Sequence, residues 1–175
     1  MHVGEILVAD CANGPGVRVS VFVSGCTNCC EGCFQPQTWD FTYGRFYDKK
    51  MEDYIIEELS KSHYQGLTIL GGEPFEPSNQ KELIHLIRRV REELPDRNIW
   101  MYTGFTYDKD LCPGGRKYTK QTDAILDEID VLVDGRFEQA KRDLMLKYRG
   151  SSNQRIIDMK QTRKQGEVVL SPLNN

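Results

Sequence analysis

The sequence predicts an α/β fold in which mostly parallel strands form an incomplete, laterally open (β/α) barrel. Strand-like and helix-like segments alternate through most of the chain, a pattern that favours parallel strands joined by right-handed crossovers. The chain has 175 residues, whereas a complete eight-stranded barrel takes about 250 residues. We therefore expect a single domain over residues 1–175, with a core of about 1–158 and a short C-terminal tail.

Two predicted strands, one helix and a long loop make up the beginning of the chain. Residues 4–10 are an apolar run, and residues 17–24 alternate apolar and polar side chains as a strand does. Residues 35–47 are aromatic without a periodic pattern, which indicates a loop. Residues 48–63 carry apolar side chains at helical spacing.

The rest of the chain continues the alternation from a short apolar strand at residues 67–70. Ser78 is the expected N-cap of a helix that ends before Pro95. The following elements are then predicted in order: a strand at 98–102, a turn-rich surface segment at 108–117, a helix at 120–128, a strand at 129–133, a helix at 138–148 and a strand at 154–158.

Four segments with chemical character each follow a predicted strand. They are the cysteine-rich loop that begins at Cys26, the GGEP turn at 71–74, the Thr103-Gly104 pair and the Asp134-Gly135 pair. Because the carboxyl ends of parallel strands meet at one edge of the sheet, these segments should converge where such folds bind ligands.

The composition of the chain indicates which kinds of partner it binds and in which cellular compartment it works. The formal net charge is −3 and the two signs are intermixed, which argues against binding to nucleic acid or to an anionic membrane. The N-terminus lacks the pattern of a secretory signal, and no apolar stretch approaches the ~18 residues of a membrane span. We expect a cytoplasmic protein, whose clustered cysteines are reduced and hold a metal.

Four of the six cysteines lie in the stretch GCTNCCEGCF: Cys26, Cys29, Cys30 and Cys33. A zinc site usually joins two separated pairs of ligands, whereas here the pairs touch. A four-thiolate iron-sulfur cluster is easier to build, but adjacent Cys29 and Cys30 project in different directions. Three ligands, Cys26, Cys30 and Cys33, would leave one iron of a four-iron cluster open. Cys11 and Cys112 are expected to be ordinary thiols.

The pattern Cys26-x3-Cys30-x2-Cys33 followed by GGEP resembles the radical S-adenosylmethionine (SAM) superfamily. Within it, the chain resembles the activating enzymes of glycyl-radical proteins, most closely those of anaerobic (class III) ribonucleoside-triphosphate reductase. The further matching stretches are NGPGVR at 13–18, TWDF at 38–41, WMYTG at 100–104, VLVDGRF at 131–137 and RGSSNQR at 149–155.

The resemblance implies a role for each matching residue. Cys26, Cys30 and Cys33 would bind a [4Fe-4S] cluster, whose fourth iron would chelate the methionine part of SAM, and Cys29 would be dispensable. Further SAM contacts would come from these residues: the backbone of Gly32, Cys33 and Phe34, then Gly71, Gly72, Glu73, Thr103 and Asp134. Glu73 would accept from the methionine ammonium group or orient its loop.

The resemblance also implies a reaction and partners. The reduced cluster would cleave SAM, and the resulting 5'-deoxyadenosyl radical would take hydrogen from a glycine of the reductase, with electrons from a donor such as flavodoxin. Two alternatives remain: an activase of another glycyl-radical enzyme such as pyruvate formate-lyase, and a non-catalytic iron-sulfur or zinc module. Arg18 is expected to form a surface salt bridge unless its place in GPGVR makes it functional.

Overall fold

A computed structural model describes residues 1–174 and places one seven-stranded sheet at the centre of the molecule. The strands follow the order β3-β1-β2-β4-β5-β6-β7 across the sheet. Their bounds are β1 His2–Asp10, β2 Arg18–Val23, β3 Arg45–Phe46, β4 Gly66–Gly71, β5 Asn98–Tyr102, β6 Val131–Asp134 and β7 Arg155–Asp158. The sheet is open, with β3 and β7 as its edges.

Strand direction confirms the prediction of an α/β fold with mostly parallel strands. The four central strands, β2, β4, β5 and β6, pair in parallel. β1 runs antiparallel to β2, and β3 runs antiparallel to β1, so that β3 has the direction of the central strands. β7 pairs antiparallel with β6.

The helix predicted at 138–148, just before the antiparallel strand β7, is not present in the structure. Residues 138–148 form a short 3-10 turn at Gln139–Lys141 and then a loop, where a helix was expected. An antiparallel neighbour needs no crossover helix, whereas a parallel one does. Apolar residues of this segment lie in a loop beside the candidate site, which is described below.

Five helices flank the sheet, with bounds α1 Lys49–Ser60, α2 Pro77–Glu93, α3 Tyr107–Asp110, α4 Thr122–Glu128 and α5 Met159–Gln165. The side chain of Asp48 caps α1 by accepting from the Met51 amide. The prediction that Ser78 caps α2 is wrong, because the helix already begins at Pro77. Proline is favoured at the first helical position, where no amide hydrogen is needed.

Residues 159–174 are folded against β7. Asp158 caps α5 by accepting from the Gln161 amide, and Gly166 ends the helix in the left-handed conformation at φ +73°. Leu170 then forms a β-bridge with Ile157. The helix α5 was missed because its sequence, MKQTRKQ, has too few apolar residues to show a period.

The two faces of the sheet differ in chemistry. Side chains such as Leu67, Ile69 and Met101 pack with the helices into the main hydrophobic core. The intervening residues Thr68 and Trp100 lie on the opposite face, which is partly polar. No helix within residues 1–174 is both long and apolar enough to cross a membrane.

Candidate active site at the carboxyl edge of the sheet

A cavity of about 590 Å³ opens at the carboxyl edge of the parallel strands. Eight of the ten predicted site residues line it: Cys26, Cys30, Cys33, Phe34, Gly71, Gly72, Glu73 and Thr103. They come from the cysteine loop after β2, the turn after β4 and the end of β5. The topology therefore brings together segments that lie up to about eighty residues apart, because parallel strands end at the same edge.

The backbone of the cysteine loop separates Cys29 from the other three cysteines. Cys29 has a positive φ of +44°, and its exposed thiol is directed to the Cys26 carbonyl at 3.6 Å. Cys30 is buried, and the loop turns back so that the Cys33 amide donates to the Cys30 carbonyl at 3.2 Å. Cys29 does not line the cavity, whereas its three neighbours do.

The environment of Cys26 disfavours a bare thiolate. Burial, together with the nearby Glu73 carboxylate, raises the pKa of the Cys26 thiol to about 11. A positively charged metal centre would reverse this, because a coordinating thiol is deprotonated outright. Without a cation beside it, Cys26 therefore remains a neutral thiol at physiological pH.

The three thiols fit a cluster better than a single ion. Within residues 1–174, no three Cys, His, Asp or Glu side chains converge as ligands of one metal ion. In a four-iron cluster each cysteine binds a different iron, so its ligands need not meet at one point. Three free thiols facing one cavity are the donor set that such a cluster takes.

Glu73 lies fully buried beneath the cavity and receives four hydrogen bonds. Its carboxylate accepts from Thr103 Oγ1 at 2.8 Å, the Gly104 amide at 2.8 Å, the Phe75 amide at 2.9 Å and Asn28 Nδ2 at 3.1 Å. Burial raises the pKa of the Glu73 carboxyl to about 7. These contacts join the end of β5 to the cysteine loop. They agree with the predicted role of Glu73 in orienting its loop. Contact with a ligand ammonium stays a prediction.

Gly71 and Gly72 allow the turn after β4 to pack closely on the cysteine loop. A Cβ at Gly72 would lie 2.7 Å from the Gly25 carbonyl oxygen and 2.9 Å from that of Thr38. Gly71 has φ +107°, a conformation that favours glycine. Their predicted approach to the methionine amino group is compatible with this packing and stays a prediction.

The sequence is similar to known proteins over nearly its whole length. A family model described as "4Fe-4S single cluster domain" matches residues 12–157. The anaerobic ribonucleoside-triphosphate reductase-activating protein of Haemophilus influenzae is 42% identical over 149 residues, which cover 84% of this chain and 91% of the relative. The proteins of the same name from Pasteurella multocida and Escherichia coli are 42% and 38% identical, covering 89% and 88% of this chain and 96% of each relative.

The chain belongs to the family of anaerobic ribonucleoside-triphosphate reductase-activating proteins. The segment matched by the cluster-domain model contains Cys26, Cys30 and Cys33 together with the turn at 71–74. The predicted membership is therefore confirmed, and with it the expectation of an iron-sulfur domain.

Two predicted site residues of this activating-protein family member lie outside the cavity lining. Asp134 is buried, and its carboxylate accepts two hydrogen bonds from Arg155, at 2.8 and 2.6 Å, and one from the Tyr107 amide at 2.8 Å. Gly32 has φ +70°, and a Cβ there would lie 2.2 Å from Gln139 Oε1. Asp134 therefore connects β6 to β7 through Arg155. Its contact with SAM stays a prediction.

Sequence reasoning missed the polar residues at and just before the start of α2 that hold the cysteine loop. The buried Glu76 carboxylate accepts from the Thr27 amide at 2.9 Å and from Lys117 Nζ at 2.7 Å. Asn79 Nδ2 donates to the carbonyls of Ser24 and Glu73, both at 2.9 Å. The signal was the polar pair Asn79-Gln80 near the start of α2, a helix whose later buried positions are apolar.

The surface salt bridge expected for Arg18 is wrong. Its side chain is fully buried, and among the described residues it pairs with no carboxylate. The guanidinium donates to Thr68 Oγ1 at 2.6 Å and to the carbonyls of Leu67 at 2.8 Å and Pro15 at 3.2 Å. Burial lowers the pKa of Arg18 to about 10. Arg18 thus fixes the NGPG turn onto β4 below the cavity.

Proposed function

We propose that this chain is a radical SAM activase that generates a glycyl radical on anaerobic ribonucleoside-triphosphate reductase. The observation that carries the proposal is the convergence of the Cys26, Cys30 and Cys33 thiols on one cavity with the turn at 71–74. When bound there, a [4Fe-4S] cluster supplies the electron that splits SAM into methionine and a 5'-deoxyadenosyl radical. Hydrogen transfer from the reductase glycine to that radical yields 5'-deoxyadenosine and the glycyl radical.

The residues of the chain supply binding, orientation and exclusion of water, since the cofactor supplies the difficult chemistry. The three thiolates hold the cluster, and the backbone at 32–34, Gly71, Gly72 and Thr103 contact SAM. Glu73 keeps the strand end and the cysteine loop in register. The exposed ring of Phe34 packs on Phe137 at a centroid distance of 5.3 Å, so that these rings shield the mouth of the cavity.

Several finer features belong to the same proposal. We infer that the sheet curls into an incomplete, laterally open barrel within a single radical SAM domain spanning residues 1–175. Its open side admits the glycine-bearing loop of the reductase. A low-potential donor such as flavodoxin reduces the cluster, and the reaction takes place in the cytoplasm. The mostly parallel open sheet and the position of the cavity at its carboxyl edge support this arrangement.

The test is anaerobic reconstitution followed by two measurements. We expect about four irons per chain bound in the cavity, and release of 5'-deoxyadenosine from SAM after reduction. Protein that holds one zinc and no iron would defeat the enzyme proposal. Protein that holds the full cluster but yields no 5'-deoxyadenosine would defeat the catalytic part and leave an iron-sulfur module.

A further inference from the structure

A loop of residues 143–150, here named the rim loop, forms one side of the cavity mouth. Its base is closed by a β-bridge between Arg142 and Ser151. Leu146 and Tyr148 line the cavity, and the ring of Tyr148 packs edge-on against Trp100 at a centroid distance of 5.5 Å. The inner side of the rim loop is therefore anchored to the sheet.

The tip of the rim loop presents apolar side chains to solvent. Leu144 is 80% exposed and Met145 is 88% exposed, more than any other large apolar side chain among the described residues. Phe34, which is 62% exposed, lies beside the base of the same loop, close to Gly150. Leu144 and Phe34 both line the cavity, so the exposed apolar surface continues into the candidate active site. Contiguous exposed apolar surface of this kind marks interaction sites.

The segment that leads into the rim loop and forms most of it is positively charged in an acidic protein. Residues 136–149 contain five basic and two acidic residues, while the whole chain has a formal net charge of −3. Arg142 lies with its guanidinium 5.3 Å from the centre of the Phe34 ring. Lys147 is exposed, and in the described part of the chain neither cation forms an ion pair. The surface therefore combines apolar tips with available positive charge.

From this combination we infer that the rim loop, with Phe34 and Arg142, is the docking surface for the segment of the reductase that carries the glycine. The inference rests on the proposed function and deepens it, because the rim loop borders the cavity that the glycine must reach. Complementarity then requires apolar and acidic residues in the reductase segment beside the glycine. A second copy of this chain seated on the rim would close the cavity to the reductase, which argues against self-association there.

The experiment uses the reconstituted protein and compares two rim variants, made singly and combined in one chain, with two control variants. Met145→Ser and Lys147→Glu change exposed side chains that do not line the cavity. Phe46→Ser on β3 and Lys50→Glu on α1 are matched exposed changes elsewhere on the surface. Two quantities are measured: the rate of glycyl-radical formation against reductase concentration, and 5'-deoxyadenosine formation without reductase.

For the combined rim variant we expect the apparent KM for the reductase to rise at least about tenfold, as for a central interface residue. Release of 5'-deoxyadenosine without reductase should not change. The KM should also rise with salt for the unmutated protein and respond less to salt in Lys147→Glu, because exposed charge pairs are screened. The control variants should match the unmutated protein in both measurements.

Three results would overturn the inference. One is an unchanged KM in the combined variant. Another is loss of reductase-independent SAM cleavage, which would make the rim loop part of the SAM site. The third is a change in the oligomeric state on sedimentation with an unchanged KM, which would assign the surface to a second copy. If the unmutated protein produced neither product, the proposed function would fail first and the docking inference with it.

Discussion

At the scale of single residues, the conformation of the cysteine loop separates Cys29 from the three cysteines that we propose as cluster ligands. Adjacent Cys29 and Cys30 lie on opposite sides of the loop, one exposed and one buried beside the cavity. The positive φ at Cys29 turns the chain between them. The sequence alone predicts that two adjacent side chains diverge. It does not predict which of them is exposed, because that depends on how the whole loop packs.

Single alanine substitutions should separate Cys29 from Cys30. We expect Cys29→Ala to retain the iron content and SAM cleavage of the unmutated protein, because its thiol faces solvent. Cys30→Ala removes a thiol that lines the cavity and should abolish both, as should the same change at Cys26 or Cys33. Iron analysis and quantification of 5'-deoxyadenosine check this. Loss of the cluster in Cys29→Ala would refute the assignment of ligands.

Glu73→Gln tests the buried carboxylate that joins the turn after β4 to the end of β5. One oxygen faces the Phe75 amide and the other faces the Gly104 amide, so the amide group of glutamine must point a donor at a donor. We expect the free energy of unfolding to fall by about 1–3 kcal/mol and SAM affinity to fall with it. Anaerobic urea unfolding and equilibrium dialysis measure these quantities.

The matched control for that change is Glu92→Gln on the exposed side of α2. It removes the same charge without a buried partner and should leave both quantities unchanged. If Glu73→Gln behaved like this control, Glu73 would have no part in holding the site together.

At the scale of elements, the sequence predicts well where periodicity and burial coincide. The strand at 98–102 matches β5 to the residue, and the central helices are recovered within a few positions. The failures at 138–148 and at α5 have opposite causes: the first segment shows a helical period without forming a helix, whereas α5 has too few apolar residues to show a period. In the rim loop apolar residues line the cavity, and α5 is held by caps and by β7.

Asp130 joins α2, β5 and α5 through its side-chain contacts. We expect it to make the free energy of unfolding depend on pH. Burial alone would raise its pKa, but hydrogen bonds from Arg91, Lys160 and the Ile99 amide outweigh this and lower it. The stability that Asp130 contributes is therefore present above the unfolded pKa of about 3.9 and lost as pH falls through the lower folded value.

The variant Asp130→Asn should accordingly unfold about 1–3 kcal/mol more easily at pH 7, and the difference from the unmutated protein should shrink below about pH 4. Asp127→Asn, at an exposed position of α4, is the control and should show little change at either pH. Urea unfolding at several pH values gives the comparison. A difference that persisted unchanged at low pH would contradict the role of the ionised carboxylate.

At the scale of the whole molecule, the site lies where β2, β4 and β5 end, and α2 supports its cysteine loop. Its location was predictable, since the motif residues follow strands that had to be parallel. The supports were not, because Glu76 reaches Thr27 across 49 positions and Lys117 reaches Glu76 across 41. Such pairs leave no periodic trace in the sequence. Arg18 was misjudged for the same reason: it is buried and pairs with no carboxylate among residues 1–174.

The central claim is that this chain places a radical on the glycine of anaerobic ribonucleoside-triphosphate reductase. Electron paramagnetic resonance after anaerobic incubation of the reduced holoprotein with SAM and the reductase tests it most directly. We predict a glycyl-radical signal that is absent with Cys30→Ala and absent when the reductase glycine is replaced by alanine. A protein with its full cluster that releases 5'-deoxyadenosine in the presence of intact, not yet activated reductase but leaves no radical on it would contradict the claim.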